Sequence, residues 1–330
     1  MTGQVECQLC PKYCRIDPGR TGDCGVRVNR DGTLLATTWG HPCALHMDPI
    51  EKKPLFHFLP GTEVLSLATV GCNLHCRNCQ NWSISQGVPE DTPAYDLPPG
   101  DLVSLAKGEG CPSVAYTYTE PLVYYEYTRD ACRAARDVGL RNVLVTAGYI
   151  NEGPLRELLP HVDAANVDLK AFDDGFYKTY CEATLRPVLR TLEVCLELGV
   201  HLEITNLVIP TLNDSEDGIA KLVGWIVETL GVDVPLHFSR FQPRYRMKNL
   251  PPTPGETLER CRDQALAAGL RYVYVGNLRS RDGESTFCPT ATCPGRARPL
   301  VRRSGYRILD NRLEGGKCPD CGAAVYGRWE

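Results

Sequence analysis

The stretch Gly71-Cys72-Asn73-Leu74-His75-Cys76-Arg77-Asn78-Cys79-Gln80-Asn81-Trp82 decides the fold of this chain. It follows an apolar run, 64–70, with the composition of a β-strand. Its cysteines have the spacing C-x3-C-x2-C, which puts three thiols on one tight loop, enough to hold three corners of a cubane iron–sulfur cluster. The next cysteine, Cys111, lies far downstream, so the pattern predicts a cluster with one iron open to a substrate or cofactor. A zinc knuckle and three buried thiols are the alternatives.

The composition is that of an ordinary globular protein. The chain has 330 residues, of which 43% are hydrophobic and 23% charged, and a formal net charge of −4. This length suits one large α/β domain with small appendages, and the net charge disfavours nucleic acid as a partner. No apolar run approaches membrane-spanning length, and the N-terminus has no export signal. We therefore expect a cytoplasmic protein that binds no membrane.

The 17 cysteines fall into groups, which indicates a reduced metalloprotein rather than a disulfide framework. Apart from the central loop there are two groups of four: Cys7, Cys10, Cys14 and Cys24 near the N-terminus, and Cys288, Cys293, Cys318 and Cys321 near the C-terminus. The remaining six are scattered and are predicted to be core residues: Cys43, Cys111, Cys132, Cys181, Cys195 and Cys261.

Residues 1–60 are predicted to form a cysteine-rich cap with little regular structure. The span from Cys7 to Cys24 is short and punctuated by glycines, so its cysteines can close a tetrahedral zinc site or hold an auxiliary cluster. Reduced thiols in a loop-rich cap are the alternative. The charges and aromatic residues of 48–61 fit no single helix face, and we expect an ordered loop there that lies over the core domain.

Residues 61–280 alternate short β-rich runs with helical stretches, the pattern of a parallel sheet. Apolar residues recur at helical spacing over 185–196 and 219–230, with Gly199 and Gly231 at the helix ends. These units predict an α/β fold, a complete or partial (β/α) TIM-type barrel, whose chemistry lies at the carboxyl ends of the strands. The predicted strands are 64–70, 113–118, 142–147, 164–169, 202–209, 234–239 and 271–275.

Residues 281–330 are predicted to form a separate metal-binding tail after a polar linker over 278–285. The knuckle from Cys318 to Cys321 ends in a glycine turn, as in zinc ribbons, and the wider knuckle from Cys288 to Cys293 precedes a β-like stretch over 298–311. A four-cysteine zinc site or a rubredoxin-like iron site is expected. A merely structural tail with partial metal occupancy is the alternative.

Polar side chains stand at or near the carboxyl ends of the predicted strands. For any one of them a hydrogen-bonded rim residue is a sufficient explanation, but several in register at one rim indicate a cofactor site. These residues are Glu120, Thr146, Asp168, Lys170, Glu203 and His237.

Over its whole length the chain resembles the AmmeMemoRadiSam-system radical S-adenosylmethionine (SAM) enzymes, which are relatives of the pyruvate formate-lyase activating enzyme. The resemblance rests on the cysteine-rich N-terminus, the central loop, the C-terminal knuckles, and the stretches 48–54, 118–121, 168–170, 237–241 and 272–277. Two positions depart from the pattern: Asn78 replaces the aromatic residue that usually precedes the third cysteine, and Ala147 replaces the asparagine of a Thr-Asn-Gly motif.

The resemblance implies that Cys72, Cys76 and Cys79 bind a [4Fe-4S] cluster whose open iron chelates SAM. It also implies that Glu120 binds the SAM ammonium group. The remaining residues expected to contact the cofactor are Asp168, Lys170, His237, Asn78, Thr146 and Glu203.

Two classes of function follow from the sequence and the resemblance. One is an enzyme that splits SAM into a 5′-deoxyadenosyl radical, which takes hydrogen from a small-molecule or peptide substrate or activates a glycyl-radical enzyme. Expected partners are a reductant such as flavodoxin or ferredoxin, and Memo-type and Ammecr-type proteins. The other is a catalytically silent barrel that carries a metal-ribbon interaction module. The intact central loop argues against the second class.

Overall fold

The computed structural model describes residues 3–278, 280 and 282–330. Its N-terminal part contains two short hairpins. In each hairpin the two strands pair antiparallel. Between the strands of the first hairpin lies a tight loop, in which the Cys7 N–H donates to the Cys14 carbonyl at 2.9 Å. The strands are β1 (Val5–Glu6), β2 (Arg15–Ile16), β3 (Arg27–Arg30) and β4 (Thr33–Ala36).

An eight-stranded sheet forms the centre of the molecule, with its strands in the order of the sequence. The first strand, β5, is antiparallel to β6, and every later neighbour is parallel. Among the described residues the first and last strands do not pair, so of the two predicted arrangements the structure has the partial barrel. The strands are β5 (Ala44–Pro49), β6 (Glu63–Ala68), β7 (Ser113–Tyr116), β8 (Arg141–Thr146), β9 (Ala164–Asp168), β10 (His201–Val208), β11 (Leu236–Arg240) and β12 (Val273–Gly276).

Helices connect the parallel strands, and local signals fix their ends. The helix that starts at Glu216 is capped by the Ser215 hydroxyl, which accepts from the Gly218 N–H. Gly199 and Gly231 follow their helices with φ of +71° and +95°, as predicted for helix ends. The helices are α1 (Trp82–Ser85), α2 (Pro99–Gly108), α3 (Tyr125–Asp137), α4 (Glu152–Leu158), α5 (Asp174–Phe176), α6 (Leu185–Glu197), α7 (Glu216–Trp225) and α8 (Gly255–Ala267), with 3-10 turns at Ile50–Lys52, Pro89–Asp91 and Leu159–His161 and π-turns at Tyr177–Cys181 and Ile226–Leu230.

All seven predicted strands are present, each within two residues of its expected ends. The prediction of a loop over 48–61 was wrong at its start, because Asp48 and Pro49 end strand β5 and a 3-10 turn follows. The edge strand was missed because it is half exposed and includes His46 and Asp48, so it lacks the apolar run of a central strand. The rest of the segment is irregular, and it packs Leu55 and Phe58 against Val143 and Ala164 of the sheet.

The C-terminal segment contains one antiparallel hairpin, β13 (Val301–Ser304) and β14 (Arg307–Asn311), where a β-like stretch was predicted. Apolar residues of the C-terminal segment, among them Leu300 and Val325, form one buried hydrophobic cluster with Phe56, Tyr272 and Tyr274 of the central part. The predicted linker over 278–285 includes Arg279 and Arg281, which lie outside the described residues. The domain boundaries at 60 and 280 stay predictions.

Of the six scattered cysteines, five are buried, and Cys43 is partly buried. Each of the 17 cysteines lies in the described part of the chain, and each is a free thiol. None of the helices in residues 3–278, 280 and 282–330 combines the length and apolar character needed to cross a membrane.

Candidate functional site

A cavity of about 520 Å³ opens at the carboxyl ends of the parallel strands. Its volume is in the range of sites for small molecules and cofactors. The central-loop cysteines line it, and so do the rim residues Glu120, Thr146, Asp168, Lys170 and His237. The fold therefore brings residues from the carboxyl ends of four strands together with His237, which lies near the start of β11 rather than at its expected carboxyl end.

The central loop reaches this cavity because it follows β6 directly. Gly71 adopts a φ of +102°, and a Cβ there would lie 2.5 Å from Val26 Cγ1, so only glycine permits this close approach to the N-terminal hairpin. The Leu74 N–H donates to Cys72 Sγ at 3.4 Å, and Cys79 Sγ lies 3.2 Å from Ser85 Oγ. These contacts fix the orientation of two of the three thiols.

The spacing of Cys72, Cys76 and Cys79 fits a cluster better than a single ion. All three line the same cavity, yet their sulfurs do not all lie within 4.8 Å of one another. Ligands of a cubane must surround a core of several atoms, so they stand farther apart than ligands of one ion. Burial raises the pKa of the Cys72 thiol well above its usual value, so it stays protonated until a metal displaces the proton.

Cys181 is a site residue that the sequence did not reveal, because it was interpreted as a core cysteine. It ends the π-turn Tyr177–Cys181, and its carbonyl accepts from the His75 N–H at 3.0 Å. Its thiol lies against that of Cys76, and this contact lowers the pKa of Cys76 to about 7 although burial opposes the change. No local spacing relates position 181 to the central loop, so only the fold reveals the pair.

Glu120 lies at the cavity as expected, and it is completely buried. Its carboxylate accepts from the Thr146 hydroxyl at 2.6 Å, from the Ala147 N–H at 2.8 Å and from the Leu122 N–H at 3.2 Å. Burial raises the pKa of Glu120 to about 7 despite these donors. A carboxylate offers about four acceptor positions, so one stays available to a ligand.

Asp168 and Lys170 form an ion pair at the same rim, with 2.9 Å between Lys170 Nζ and Asp168 Oδ2. Burial alone would lower the pKa of Lys170, but the Asp168 carboxylate and nearby thiols hold it well above its usual value. The pair therefore presents a permanent cation and an anion to the cavity. Asn78 also lines the cavity.

Glu203 does not reach the cavity, in contrast to the other expected cofactor residues. It is completely buried, and its carboxylate accepts from His237 Nε2 at 2.7 Å, His201 Nε2 at 3.1 Å and the backbone N–H of His57 at 2.7 Å. These donors hold the pKa of Glu203 well below its usual range although burial opposes them. Glu203 thus fixes the position of His237, which does line the cavity.

A second polar group at the cavity was not recognised as a site from the sequence. Lys53 is buried, and its Nζ donates to Asp48 Oδ2 at 2.6 Å, while Tyr118 donates to the same carboxylate. Burial lowers the pKa of Lys53 to about 8. Asp48 and Lys53 both lie in the stretch 48–54, but this stretch was predicted to be part of a loop.

The four C-terminal cysteines converge as a metal site would require. Cys288 Sγ lies 3.6 Å from Cys321 Sγ, and Cys293 Sγ lies 3.7 Å from Cys318 Sγ. All four sulfurs lie within 4.8 Å of one another. A tetrahedral site with metal–sulfur bonds of about 2.3 Å places its sulfurs roughly 3.8 Å apart, so these residues could hold one metal ion.

The four N-terminal cysteines also converge, although less tightly. Cys7, Cys10, Cys14 and Cys24 line a narrow pocket beside the central loop, and Asn73 of that loop lines it too. The fold therefore brings each predicted group of cysteines to one place.

Comparison with known proteins agrees with this geometry. The sequence model of the radical SAM superfamily matches residues 66–223, which run from the strand before the central loop to the helix after β10. An uncharacterised protein of Methanocaldococcus jannaschii is 44% identical over 324 residues, 98% of this chain and 95% of the relative. The pyruvate formate-lyase-activating enzyme of Clostridium pasteurianum is 29% identical over 174 residues, 49% of this chain and 69% of the relative.

Solved structures of other proteins share this fold, although their sequence identity to this chain is low. A radical SAM methyltransferase from Sphaerobacter thermophilus superimposes with a TM-score of 0.51 and is 16% identical, with 66% of this chain and 68% of that one covered. This likeness shows a shared fold.

Proposed function

Because the chain belongs to the radical SAM superfamily and is an enzyme, we propose that Cys72, Cys76 and Cys79 hold its [4Fe-4S] cluster. When bound, the cluster supplies the electron that splits SAM into methionine and a 5′-deoxyadenosyl radical, which abstracts hydrogen from a small-molecule or peptide substrate. One observation supports this proposal above all others. Three thiols with cluster-like spacing and a buried carboxylate meet in one cavity at the carboxyl ends of parallel strands.

The residues of the chain would bind and orient SAM in this cavity. Glu120 has one free acceptor position for the SAM ammonium group, and its other positions are held by Thr146, Ala147 and Leu122. Lys170 offers a cation that suits the SAM carboxylate, and the neighbouring Asp168 suits a positive sulfonium. We assign Asn78 and His237 to the same site because both line the cavity.

The substrate class has two candidates. The pyruvate formate-lyase-activating enzyme among the relatives favours activation of a glycyl-radical enzyme. The two outer groups of cysteines favour the other candidate, a small molecule or peptide, because a minimal activating enzyme has no need of them. We propose the second candidate, within the AmmeMemoRadiSam system. Flavodoxin or ferredoxin would then be the reductant, and Memo-type and Ammecr-type proteins would be partners.

Anaerobic reconstitution tests the proposed function. The protein is loaded with iron and sulfide, incubated with SAM and dithionite, and assayed for 5′-deoxyadenosine by mass spectrometry. We expect the wild type to form it and the Cys72→Ala, Cys76→Ala, Cys79→Ala triple variant to form none. Cleavage by the triple variant would refute the assignment. Isotope transfer into 5′-deoxyadenosine from deuterated candidate substrates would then separate the two substrate classes.

A further inference from the structure

The N-terminal cysteines lie on two tight loops that face each other across one pocket. The first loop joins β1 to β2 and carries Cys7, Cys10 and Cys14. The second carries Cys24 and is closed by the Gly22 N–H, which donates to the Arg27 carbonyl at 2.8 Å. Two loops held by backbone hydrogen bonds therefore present four thiols to one space.

The spacing of these four sulfurs differs from that of the C-terminal group. Among the described residues, the four C-terminal sulfurs lie within 4.8 Å of one another, whereas the four N-terminal sulfurs do not. A single zinc ion requires sulfurs roughly 3.8 Å apart, since zinc–sulfur bonds are about 2.3 Å long. The N-terminal arrangement is wider, as is that of the central-loop cysteines, and it suits a multi-iron core.

The surroundings of the pocket supply hydrogen-bond donors for an anionic centre. The Asp23 N–H donates to Cys14 Sγ at 3.5 Å, and the backbone N–H groups of Val26 and Arg27 face Cys24. Arg27 lines the pocket and pairs through both terminal nitrogens with the Glu126 carboxylate, at 2.6 and 2.8 Å. Its buried Nε atom has no hydrogen-bond partner within the described parts of the chain. Hydrogen bonds next to cluster sulfurs stabilise iron–sulfur centres, and the Arg27 Nε–H is a donor that an acceptor in this pocket could use.

The pocket is joined directly to the central loop. Asn73, which follows Cys72, lies against the Cys10 thiol, and His75 Nε2 lies 2.9 Å from Asp23 Oδ2. The Asn73 side chain thus connects the residue next to Cys72 with the Cys10 thiol. Two redox centres at these positions would therefore be close neighbours.

We propose that Cys7, Cys10, Cys14 and Cys24 bind a second [4Fe-4S] cluster, which passes electrons to the central site. Four cysteines complete the coordination of all four irons, so this cluster binds no substrate. It accepts one electron from an external low-potential one-electron carrier, and the same electron reduces the central cluster. The electron-transfer part rests on the proposed function, whereas the presence of the cluster does not.

Iron and sulfide analysis of matched variants tests the site. We expect about eight irons and eight sulfides in the reconstituted wild type and about four of each in the Cys72→Ala, Cys76→Ala, Cys79→Ala variant. The Cys10→Ser, Cys14→Ser variant should also keep about four, and its remaining EPR signal should respond to SAM. The signal of the triple alanine variant should not.

The control is Cys318→Ser, Cys321→Ser, which should keep all eight irons. The proposal is refuted if the triple alanine variant holds no iron and sulfide, or if the N-terminal site holds one zinc ion instead. Circular dichroism of each variant identifies loss of fold, and single Cys10→Ser and Cys24→Ser variants then replace any that do not fold. Failure of SAM cleavage in a wild type that holds eight irons would refute the proposed function but leave this site intact.

A separate kinetic measurement tests the direction of electron flow. With reduced flavodoxin as donor, reduction of the central cluster should be at least tenfold slower in Cys10→Ser, Cys14→Ser than in wild type. With dithionite, which reaches exposed sites directly, the two proteins should differ little. Equal rates with flavodoxin would overturn the electron-transfer role.

Discussion

The Thr146 hydroxyl donates a hydrogen bond of 2.6 Å to Glu120 Oε1, and it accepts another from the Gly148 N–H at 2.9 Å. Thr146 was expected to contact the cofactor itself. In the structure its hydroxyl is occupied by Glu120 and by the backbone, so we assign it a positioning role. A carboxylate held by fixed donors pays little conformational entropy when it binds a cation, which suits a recognition group.

We expect Glu120→Ala to weaken SAM binding by about ten- to a hundredfold, because a hydrogen bond to a charged group contributes roughly 1.5–3 kcal/mol. Calorimetry on the anaerobic, cluster-loaded protein measures the change. Glu157→Gln is the control, since this carboxylate is half exposed on α4 and does not line the cavity. Unchanged affinity in Glu120→Ala would contradict the assignment.

A second prediction concerns the thiol of Cys181. Its contact with Cys76 should become a hydrogen bond to a cluster ligand, and such bonds raise the reduction potential of iron–sulfur clusters. We expect Cys181→Ala to lower the midpoint potential by roughly tens of millivolts, while Cys181→Ser, which keeps a donor, changes it less. EPR-monitored redox titration gives both values. Cys195→Ala is the matched control, because Cys195 is equally buried but lies on α6 outside the cavity lining.

Iron analysis of the same variants separates two roles for Cys181. Full iron content in Cys181→Ala with a shifted potential supports hydrogen bonding. Loss of iron would show instead that Cys181 is a ligand, and the prediction would then be wrong.

The central loop and the strands could be predicted because their signals are local. A spacing of three and two residues fixes the order of Cys72, Cys76 and Cys79 on one loop, and the apolar runs mark the strands. Parallel strands bring their carboxyl ends to one edge, so Glu120 and Lys170 could be expected at one site from topology alone.

Other features depend on contacts between distant segments. Cys181 meets Cys76 only because the π-turn Tyr177–Cys181 folds back onto the central loop. Glu203 was expected at the cavity from its strand, yet the irregular segment around His57 covers it and donates to it. No periodicity in the sequence encodes where an irregular segment packs, and these contacts therefore required the structure.

The third prediction concerns the C-terminal cysteines. We expect Cys288, Cys293, Cys318 and Cys321 to bind one metal ion, with zinc favoured over iron because a ribbon site needs no redox change. Cys318→Ser, Cys321→Ser should lose about one metal equivalent and expose the tail to proteolysis, since a segment this short has little core of its own. Metal analysis by mass spectrometry and limited proteolysis measure these effects.

The matched control is Cys43→Ser, a partly buried cysteine that belongs to none of the three groups. An unchanged metal content in the tail variant would contradict the prediction. So would loss of the central cluster together with the tail metal, because the two sites would then not be independent.

The last prediction concerns His57, which joins the central part to the C-terminal segment. Its ring is completely buried, with Nδ1 2.5 Å from the Tyr326 carbonyl and Nε2 2.5 Å from the Tyr274 hydroxyl. A carbonyl only accepts, so Nδ1 carries the proton and the neutral ring accepts from Tyr274 at Nε2. Protonation would place a second donor against that hydroxyl.

Burial accordingly lowers the pKa of His57 from 6.5 to about 3. In the unfolded chain His57 keeps its usual pKa of 6.5. Between pH 6.5 and pH 3 the unfolded state therefore binds one more proton than the folded state, so the free energy of unfolding falls as the solution is made more acidic. We expect the protonation of His57 in the unfolded state to lower the unfolding free energy by about 1.6 kcal/mol as the pH falls from 6.5 to 5, and by almost nothing above pH 7. Urea unfolding followed by tryptophan fluorescence measures the loss, because Trp329 packs 5.1 Å from the His57 ring.

His57→Gln supplies the comparison, since glutamine keeps a donor and an acceptor but does not titrate. The variant should be less stable than wild type at pH 7.5, and its stability should fall less between pH 6.5 and 5. Release of the tail metal in acid affects both proteins alike, and metal analysis of the same samples corrects for it. An identical pH dependence in the two proteins would show that His57 is not the group that titrates on unfolding.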